Sequence, residues 1–343
     1  MTTMSRRSSS VTIRDVARKA GVSVATVSRY INQNTTVSPE VSQRLDAVLS
    51  EMKYVPHAAA RNLASRKTRV IGLLLNNLHN DFFVPLLNGV EAVVGQKGYN
   101  LIIATYHASS RKEMPPPIGP HNTDGLLIYS DTLFDENLAH LNSIGFPMVL
   151  IHRTPPPSLH IPSVTVENIK ITFALMEHLI KIHGKRRILF LRGPILQEDS
   201  LRREVGYKSA LEAYGLPFDE KLILNGDFDR EVAYRTLNEF LEDPQHVEFD
   251  AVFTGDDDAA IGVLRALQQH NIPTPEKIAV IGFDDLAFAP FLYPPLTTVR
   301  APTESVGRIA TERLFGLLDN QPSDEAVILP TEIIFRRSCG CNN

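Results

Sequence analysis

The side chains best suited to chemistry in this 343-residue chain are charged groups, several of which directly follow a run of aliphatic residues. Asp256 follows AVFTG, Asp284 follows AVIGF, and His152 with Arg153 follows PMVLI. Arg203 opens a helical stretch after RGPILQEDS, and Asn77 to Phe83 come just after VIGLLL. In open α/β sheets ligands bind outside the carboxyl ends of the strands, so these positions are the candidate site. Carboxylates accept hydroxyl hydrogens and a guanidinium fork donates to oxygens, which suits a polyhydroxylated small molecule. Phe82 or Phe83 would stack on a sugar face or nucleobase, with core packing as an equal alternative. For Asp256 and Asp284 the alternative role is helix capping. The sequence offers no acid–base or nucleophile pair, no glycine-rich phosphate loop and no nucleophile elbow, so a non-enzyme without cofactor is expected.

Those residues need an α/β scaffold, and the pattern from Val70 onward supplies one. RVIGLLL, YNLIIATY, DGLLIYS, PMVLIHR, RRILFLRG, AVFTG and KIAVIGF are short and nearly continuously apolar, as parallel strands buried on both faces should be. Helical stretches separate them at 82–96, 136–143, 169–182, 204–214, 230–241, 258–270 and 305–318. The alternation predicts doubly wound parallel sheets, and about 270 residues with this many strands predict two lobes. Prolines 115–117 cannot continue a helix, so the outer helix after YNLIIATY is expected to be truncated, while prolines 155–157 form a surface turn.

The N-terminal segment is of a different kind. In VTIRDVARKAGVSVATVSRYINQNT (residues 11–35), Thr12 is an N-cap for a helix with Ile13, Val16, Ala17 and Ala20 on one face. Gly21 supplies the left-handed turn, and Ser23 caps a second helix carrying Val24, Val27 and Ile31. This is the spacing of a helix-turn-helix, whose second helix enters the DNA major groove; a plain helical hairpin is the alternative. Ser38 and Pro39 open a third helix with Val41, Leu45, Val48, Leu49 and Met52 as its stripe. Charge favours DNA. Residues 1–69 hold twelve Lys and Arg against four acids, a net +8, which leaves −12 on residues 70–343 of a chain at −4.

Taken together, IRDVARKAGVSVATVSRYIN, VSPEVSQRLDAVLSEMKYVPHAAARNLAS, RVIGLLLNNLHNDFF, LRREVGYKSAL, AVFTGDDDAAIG, IAVIGFDDLAFAPFLYPPLTTVR and RRSCGC resemble the lactose-repressor/galactose-repressor family of bacterial transcription regulators over almost the whole chain. The resemblance implies a helix-turn-helix head at 1–56, a hinge helix and linker at 57–69, and an effector-binding, dimerising body at 70–343. The body would be a two-lobed, periplasmic-binding-protein-like pair, with the first lobe at 70–167 and 299–328 and the second at 168–298 and 329–343. Val24 and Ala25 fall on base-reading positions; they can touch a thymine methyl, while Arg29 one turn on can pair with guanine. Thr12, Ser23, Thr26, Ser28 and Asn32 are implied as further DNA contacts, mostly to phosphate. The hinge HAAARNLAS, too short to be a stable helix alone, would bring His57, Ala60 and Ala64 to the minor groove with Leu63 as an apolar wedge. Arg203 (the arginine of R-x-x-G-Y), Asp256 and Asp284 fall on effector-binding positions. Many relatives carry asparagine at 256 and aspartate at 152, so Asp256 and His152 mark a ligand pattern of this chain's own.

The function implied is a repressor of carbohydrate-utilisation genes, released from a palindromic operator by a small sugar. A corepressor-type regulator that binds a nucleobase or sugar phosphate is the alternative, and a sugar-binding transport protein is the reading from a different class. No apolar run is long enough to span a membrane and no signal-peptide core follows the basic start, so a cytoplasmic, nucleoid-associated protein is expected. Without terminal leucine heptads, a homodimer is expected. Cys339 and Cys341 are too few for a zinc site by themselves, and the histidines, among them His178 and His183, show no ligand spacing, so no metal is expected.

Overall fold

The computed structural model describes residues 11–31, 37–54, 67–106, 115–321 and 326–342. The chain divides into two compact units at Arg69/Val70. In the first, Thr12 and Asp15 close a capping box around α1 (Ile13–Ala20), each side chain bonding the other's backbone N–H. Gly21 ends α1 at φ 65°, a left-handed cap that a β-carbon would strain. Ser23 accepts from the Thr26 N–H at 3.0 Å to start α2 (Val24–Ile31), and Ser38 with Pro39 starts α3 (Pro39–Glu51). Val16, Ala17, Ala20, Val27, Leu45 and Val48 form the core these helices share. Asn32, His57, Ala60, Leu63 and Ala64 lie outside the described residues.

The second unit holds two parallel sheets. The first runs in the order β11-β5-β4-β3-β1-β2, from β1 (Val70–Leu75), β2 (Asn100–Thr105), β3 (Gly125–Tyr129), β4 (Met148–Ile151), β5 (Ser163–Val166) and β11 (Ala326–Leu329). Helices α4 (Phe83–Gln96), α5 (Asp135–Ser143) and α10 (Thr303–Leu318) belong to it. The backbones of α4 and α10 meet at two glycines: a β-carbon on Gly89 would lie 2.0 Å from the Glu304 carbonyl oxygen, and one on Gly307 2.3 Å from that of Leu86. The second sheet runs β7-β6-β8-β9, from β6 (Ile188–Arg192), β7 (Ile223–Asn225), β8 (Ala251–Thr254) and β9 (Ala279–Ile281). It carries α6 (Ile169–Lys181), α7 (Glu198–Ala213), α8 (Arg230–Glu242) and α9 (Asp257–Gln269). The chain leaves the first lobe after β5, returns through β10 (Thr298–Arg300) into α10, and leaves again after β11 through β12 (Glu332–Ile334), which pairs antiparallel with β10.

Two expectations about elements are corrected. Helix α7 begins at Glu198, not at 204, and this brings Asp199 into the same buried helical face as Arg203. Strands β5, β7, β10, β11 and β12 are too short or too polar to stand out in the sequence; SVTV, for example, alternates yet is buried throughout. As expected, the proline-rich stretch is not helical. Residues 115–123 form turns held by Asn122, whose side chain accepts from Gly119 N–H at 2.9 Å and donates to the Pro117 carbonyl at 3.0 Å. Ile118 packs from here into the first lobe's core, in space left free by the missing side chain of Gly72.

Candidate functional site

The run TGDDDAA shows how one turn sets three identical side chains to three tasks. Asp256 stands at the N-cap of α9, where Oδ1 accepts from the Ala259 N–H at 2.8 Å. Asp257 turns beneath the sheet, accepting from the Leu286 N–H at 2.8 Å and the Thr298 hydroxyl at 2.5 Å. It fits because Gly282 has no β-carbon, which would lie 2.2 Å from its carboxylate. Asp258 pairs with the Arg230 guanidinium and with the Arg230 N–H at 2.9 Å. Only Asp256 faces the cleft, so capping and site are both its roles.

Arg203 is the hub of that cleft. It is 3 % exposed, its Nε donates to Asn168 Oδ1 at 2.9 Å, and its Nη1 donates to the Gly255 carbonyl. Nη2 stands 3.6 Å from Asp284 Oδ1, an ion pair at longer than hydrogen-bond range. The guanidinium lies 3.6 Å above the centre of the Phe283 ring and 5.5 Å from that of Phe228. Phe228 itself lies across Gly193 and Gly255, whose absent β-carbons would meet its ring at 2.2 and 2.6 Å. Asp199, one helical turn before Arg203, accepts from Asn168 Nδ2 at 2.8 Å and meets His152 Nδ1 at 2.7 Å through its other oxygen. His152 sits at φ 55° and Asp284 at φ 109°, left-handed conformations that side chains adopt at a cost of about 1–3 kcal/mol.

Burial governs the protonation of this group. It pushes Asp256 up to about 8, aided by the nearby Asp284 charge, and Asp284 up to about 6 despite Arg203. Burial also works to raise Asp199, but His152, Arg203 and Asn168 hold it below the usual carboxylate range. At pH 7 Asp199 and most of Asp284 are therefore ionised, while Asp256 is mostly a neutral acid with a hydroxyl to donate. Three buried polar atoms here have no hydrogen-bond partner among the described residues, Asp284 Oδ1 and both ring nitrogens of His152, although Asp284 Oδ1 faces Arg203 and His152 Nδ1 faces Asp199 as ion pairs.

The cleft is lined by Asn77, Phe82, Phe83, Arg203, Asp256 and Asp284 of the residues expected from sequence. Both phenylalanines are also core, 7 % and 4 % exposed, in an edge-to-face cluster with Tyr129. His152 stands just behind this wall, its ring 5.7 Å from that of Phe82. Arg153 does not join them. It donates to the carbonyls of Ser130 and Leu133 and pairs with Asp135, so it pins the turn after β3. Sequence reasoning missed Tyr129, Gln197, Asp199, Asp227 and Phe228 on the lining and Asn168 behind it. The i, i+4 spacing of Asp199 and Arg203 was a usable signal. The cleft volume is about 60 Å³, and contacts cross it. Asn80 donates to the Phe228 carbonyl at 3.3 Å and reaches Asp256 at 3.4 Å, and Thr154 donates twice to Glu198, both at 2.5 Å.

In the N-terminal unit the expected DNA contacts Val24, Ala25 and Arg29 are exposed on α2, with Thr26 and Ser28 half-buried and Thr12 and Ser23 at the caps. Val27, on the opposite face, is wholly buried. With the packing stripe turned inward, an apolar side chain and a basic one are left exposed on the outer face of the helix.

Comparison with known proteins agrees with both halves. A model of the bacterial regulatory proteins, lacI family, matches residues 12–57, and one of the periplasmic binding protein-like domain matches residues 176–339. Catabolite control protein A of Priestia megaterium is 31 % identical over 333 residues, covering 96 % of this chain and 99 % of that protein. The ribose operon repressor of Escherichia coli (strain K12) is 29 % identical over 329 residues, covering 95 % and 98 %. Among solved structures, a complex of the transcriptional regulator CelR with cellobiose superposes with a TM-score of 0.68 at 29 % identity, covering 96 % of this chain and 99 % of that one.

Proposed function

The chain belongs to the lacI family of bacterial regulatory proteins, whose members are DNA-binding transcription regulators, and on that premise we propose that it is a repressor released from its operator by a neutral sugar bound between its lobes. The observation that carries the ligand class is Asp284 Oδ1, buried and without a hydrogen bond, in a cleft lined by four aspartates and one arginine. Leaving a buried polar group unpaired costs about 1–3 kcal/mol, which ligand hydroxyls would recover. Asp199, Asp227 and Asp284 repel a phosphate, which argues for an uncharged polyol over a sugar phosphate. Asp256, held protonated, offers one donor and one acceptor, the same pair an asparagine offers. The relatives named for ribose and for cellobiose support the same class.

About 60 Å³ holds roughly two waters, so a sugar enters only when the lobes part and the Asn80 and Thr154 contacts open. An effector moves that equilibrium only by binding one arrangement better than the other. For the head we propose that Val24, Ala25 and Arg29 read bases, that Thr12, Ser23, Thr26, Ser28 and Asn32 hold phosphates, and that His57, Ala60, Leu63 and Ala64 serve the minor groove. We take the working form to be a cytoplasmic homodimer. The first sheet ends at β2, an edge strand with Ile102 and Ile103 exposed, which supports a second copy as the cover. Among the described residues no helix is long and apolar enough to cross a membrane.

Thermal unfolding of the full chain against neutral sugars, sugar phosphates and nucleobases tests the ligand class. A neutral sugar at a hundredfold excess over its dissociation constant should stabilise by about 2.7 kcal/mol. A shift produced by phosphates or nucleobases and by no neutral sugar would overturn the reading.

A further inference from the structure

The C-terminal motif RRSCGC meets two histidines that the sequence keeps far away. His178 lies near the end of α6 and His183 in the loop before β6, while Cys339 and Cys341 flank Gly340 at the end of the chain. All four donor atoms lie within 4.8 Å of one another. His178 Nε2 is 3.0 Å from His183 Nε2, 3.7 Å from Cys339 Sγ and 3.5 Å from Cys341 Sγ, and His183 Nε2 is 3.5 Å from Cys341 Sγ. Tetrahedral zinc, with Zn–S of about 2.3 Å and Zn–N of about 2.0–2.1 Å, sets its ligands about 3.6 Å apart for sulfur to nitrogen and about 3.3 Å for nitrogen to nitrogen. We propose that His178, His183, Cys339 and Cys341 form a structural Cys2His2 site for zinc, which ties the chain's tail to the end of α6.

The surroundings hold the four groups in place before any ion arrives. Gly340 sits at φ 104°, and a β-carbon there would come within 3.0 Å of the His183 ring, so only glycine lets the tail wrap so closely. The turn before it is pinned by Ser338, whose hydroxyl donates to the Val280 carbonyl at 2.6 Å and accepts from the Thr297 N–H at 2.8 Å. Thr297 Oγ1 stands 3.1 Å from Cys339 Sγ, where it can donate to a thiolate as an outer-sphere partner. The Phe335 ring, 4.3 Å from that of His178, shields one side. Cys339 is buried while Cys341 and both histidines are part-exposed, which leaves an entry path. A soft-plus-imidazole donor set at these separations selects zinc over magnesium or calcium.

The sequence suggested no metal because Cys-Gly-Cys supplies two ligands and the histidines stand more than 150 residues away. They meet because the third crossing between lobes returns the tail through β12 to the second lobe, against α6.

The full chain, reduced and stripped with a chelator, is titrated with Co2+ and then Zn2+. One Co2+ per chain should bind with the intense visible bands and sulfur charge-transfer band of tetrahedral thiolate ligation, and Zn2+ should displace it. Outer-sphere partners alone change affinity about 10–100-fold, so Cys341→Ser and His183→Asn should each weaken binding by more than that. Circular dichroism on both variants checks that they are folded; Cys341 stands one residue from the described end of the chain, so its variant should be. A wild-type chain without those bands, wild-type affinity in the folded variants, or a Cys339–Cys341 disulfide that persists in reducing buffer would overturn the site.

Discussion

The head and the cleft, each proposed to recognise a partner, hold their candidate side chains in opposite ways. On α2 the proposed reading residues Val24, Ala25 and Arg29 stand in solvent over a buried Val27, so packing and the proposed recognition occupy different faces of one helix. In the cleft Arg203, Asp256, Asp284 and Asp199 are all 7 % exposed or less, and each also holds the structure together. The arginine fixes a carbonyl of the Gly255 turn, and Asp256 caps α9. A surface site can change its specificity without touching stability; a buried charged site cannot. This predicts that mutations in the two regions differ in kind as well as in size.

The largest effect should come from Arg203→Ala. It leaves Asp284 and Asp199 without their cation, and removing one partner of a buried pair costs about 3–5 kcal/mol. Chemical denaturation of the body measures it. A loss under about 1 kcal/mol, the range of exposed pairs, would erase the contrast between the regions. Next in size is Arg29→Ala. The unfolding midpoint should stay where it is, while discrimination at one operator base pair falls by about 1–3 kcal/mol. Equal weakening on all DNA sequences, read by competition binding, would make Arg29 a phosphate contact instead.

The third is a pH effect. The folded protein holds a proton on Asp256 up to about pH 8, whereas the unfolded chain releases it near the ordinary aspartate value of 3.8. Across that window the folded state binds more protons, so rising pH lowers stability. Asp256→Asn keeps the cap and removes the titration, so its stability should fall less between those pH values than that of wild type. Parallel pH profiles for the two proteins would show that Asp256 ionises normally.

How much of this could be read in the sequence follows the same divide. The head was legible almost residue by residue, because caps, a left-handed glycine and an apolar stripe are local signals: Thr12, Gly21, Ser23 and Ser38 all sit where the sequence puts them. The body's longer strands and most of its helices were legible from apolar periodicity. Its cleft was legible at strand ends, where Asp256 and Asp284 stand, and at Arg203 of the R-x-x-G-Y motif. Asp199 was hidden by a polar first turn that lacks a side-chain cap, so α7 read as starting six residues late. Asn168, Tyr129 and Phe228 reach the site through long-range packing, which no local pattern encodes. Arg153 was misread for the converse reason. It follows a strand as His152 does, but its longer side chain finds nearer partners in the Ser130–Asp135 turn.

The account turns on Asp284 as the ionised acceptor that a sugar hydroxyl meets, and Asp284→Asn removes that charge while keeping the shape. Operator release by the full chain, followed by fluorescence anisotropy as sugar is added, reads it directly. Without sugar the variant should bind operator as wild type does, since every proposed DNA contact lies within residues 12–64. Losing a charge-assisted hydrogen bond of about 1.5–3 kcal/mol should raise the sugar needed for release roughly 10- to 150-fold. Release of the variant at the wild-type sugar concentration would contradict the cleft as the effector site.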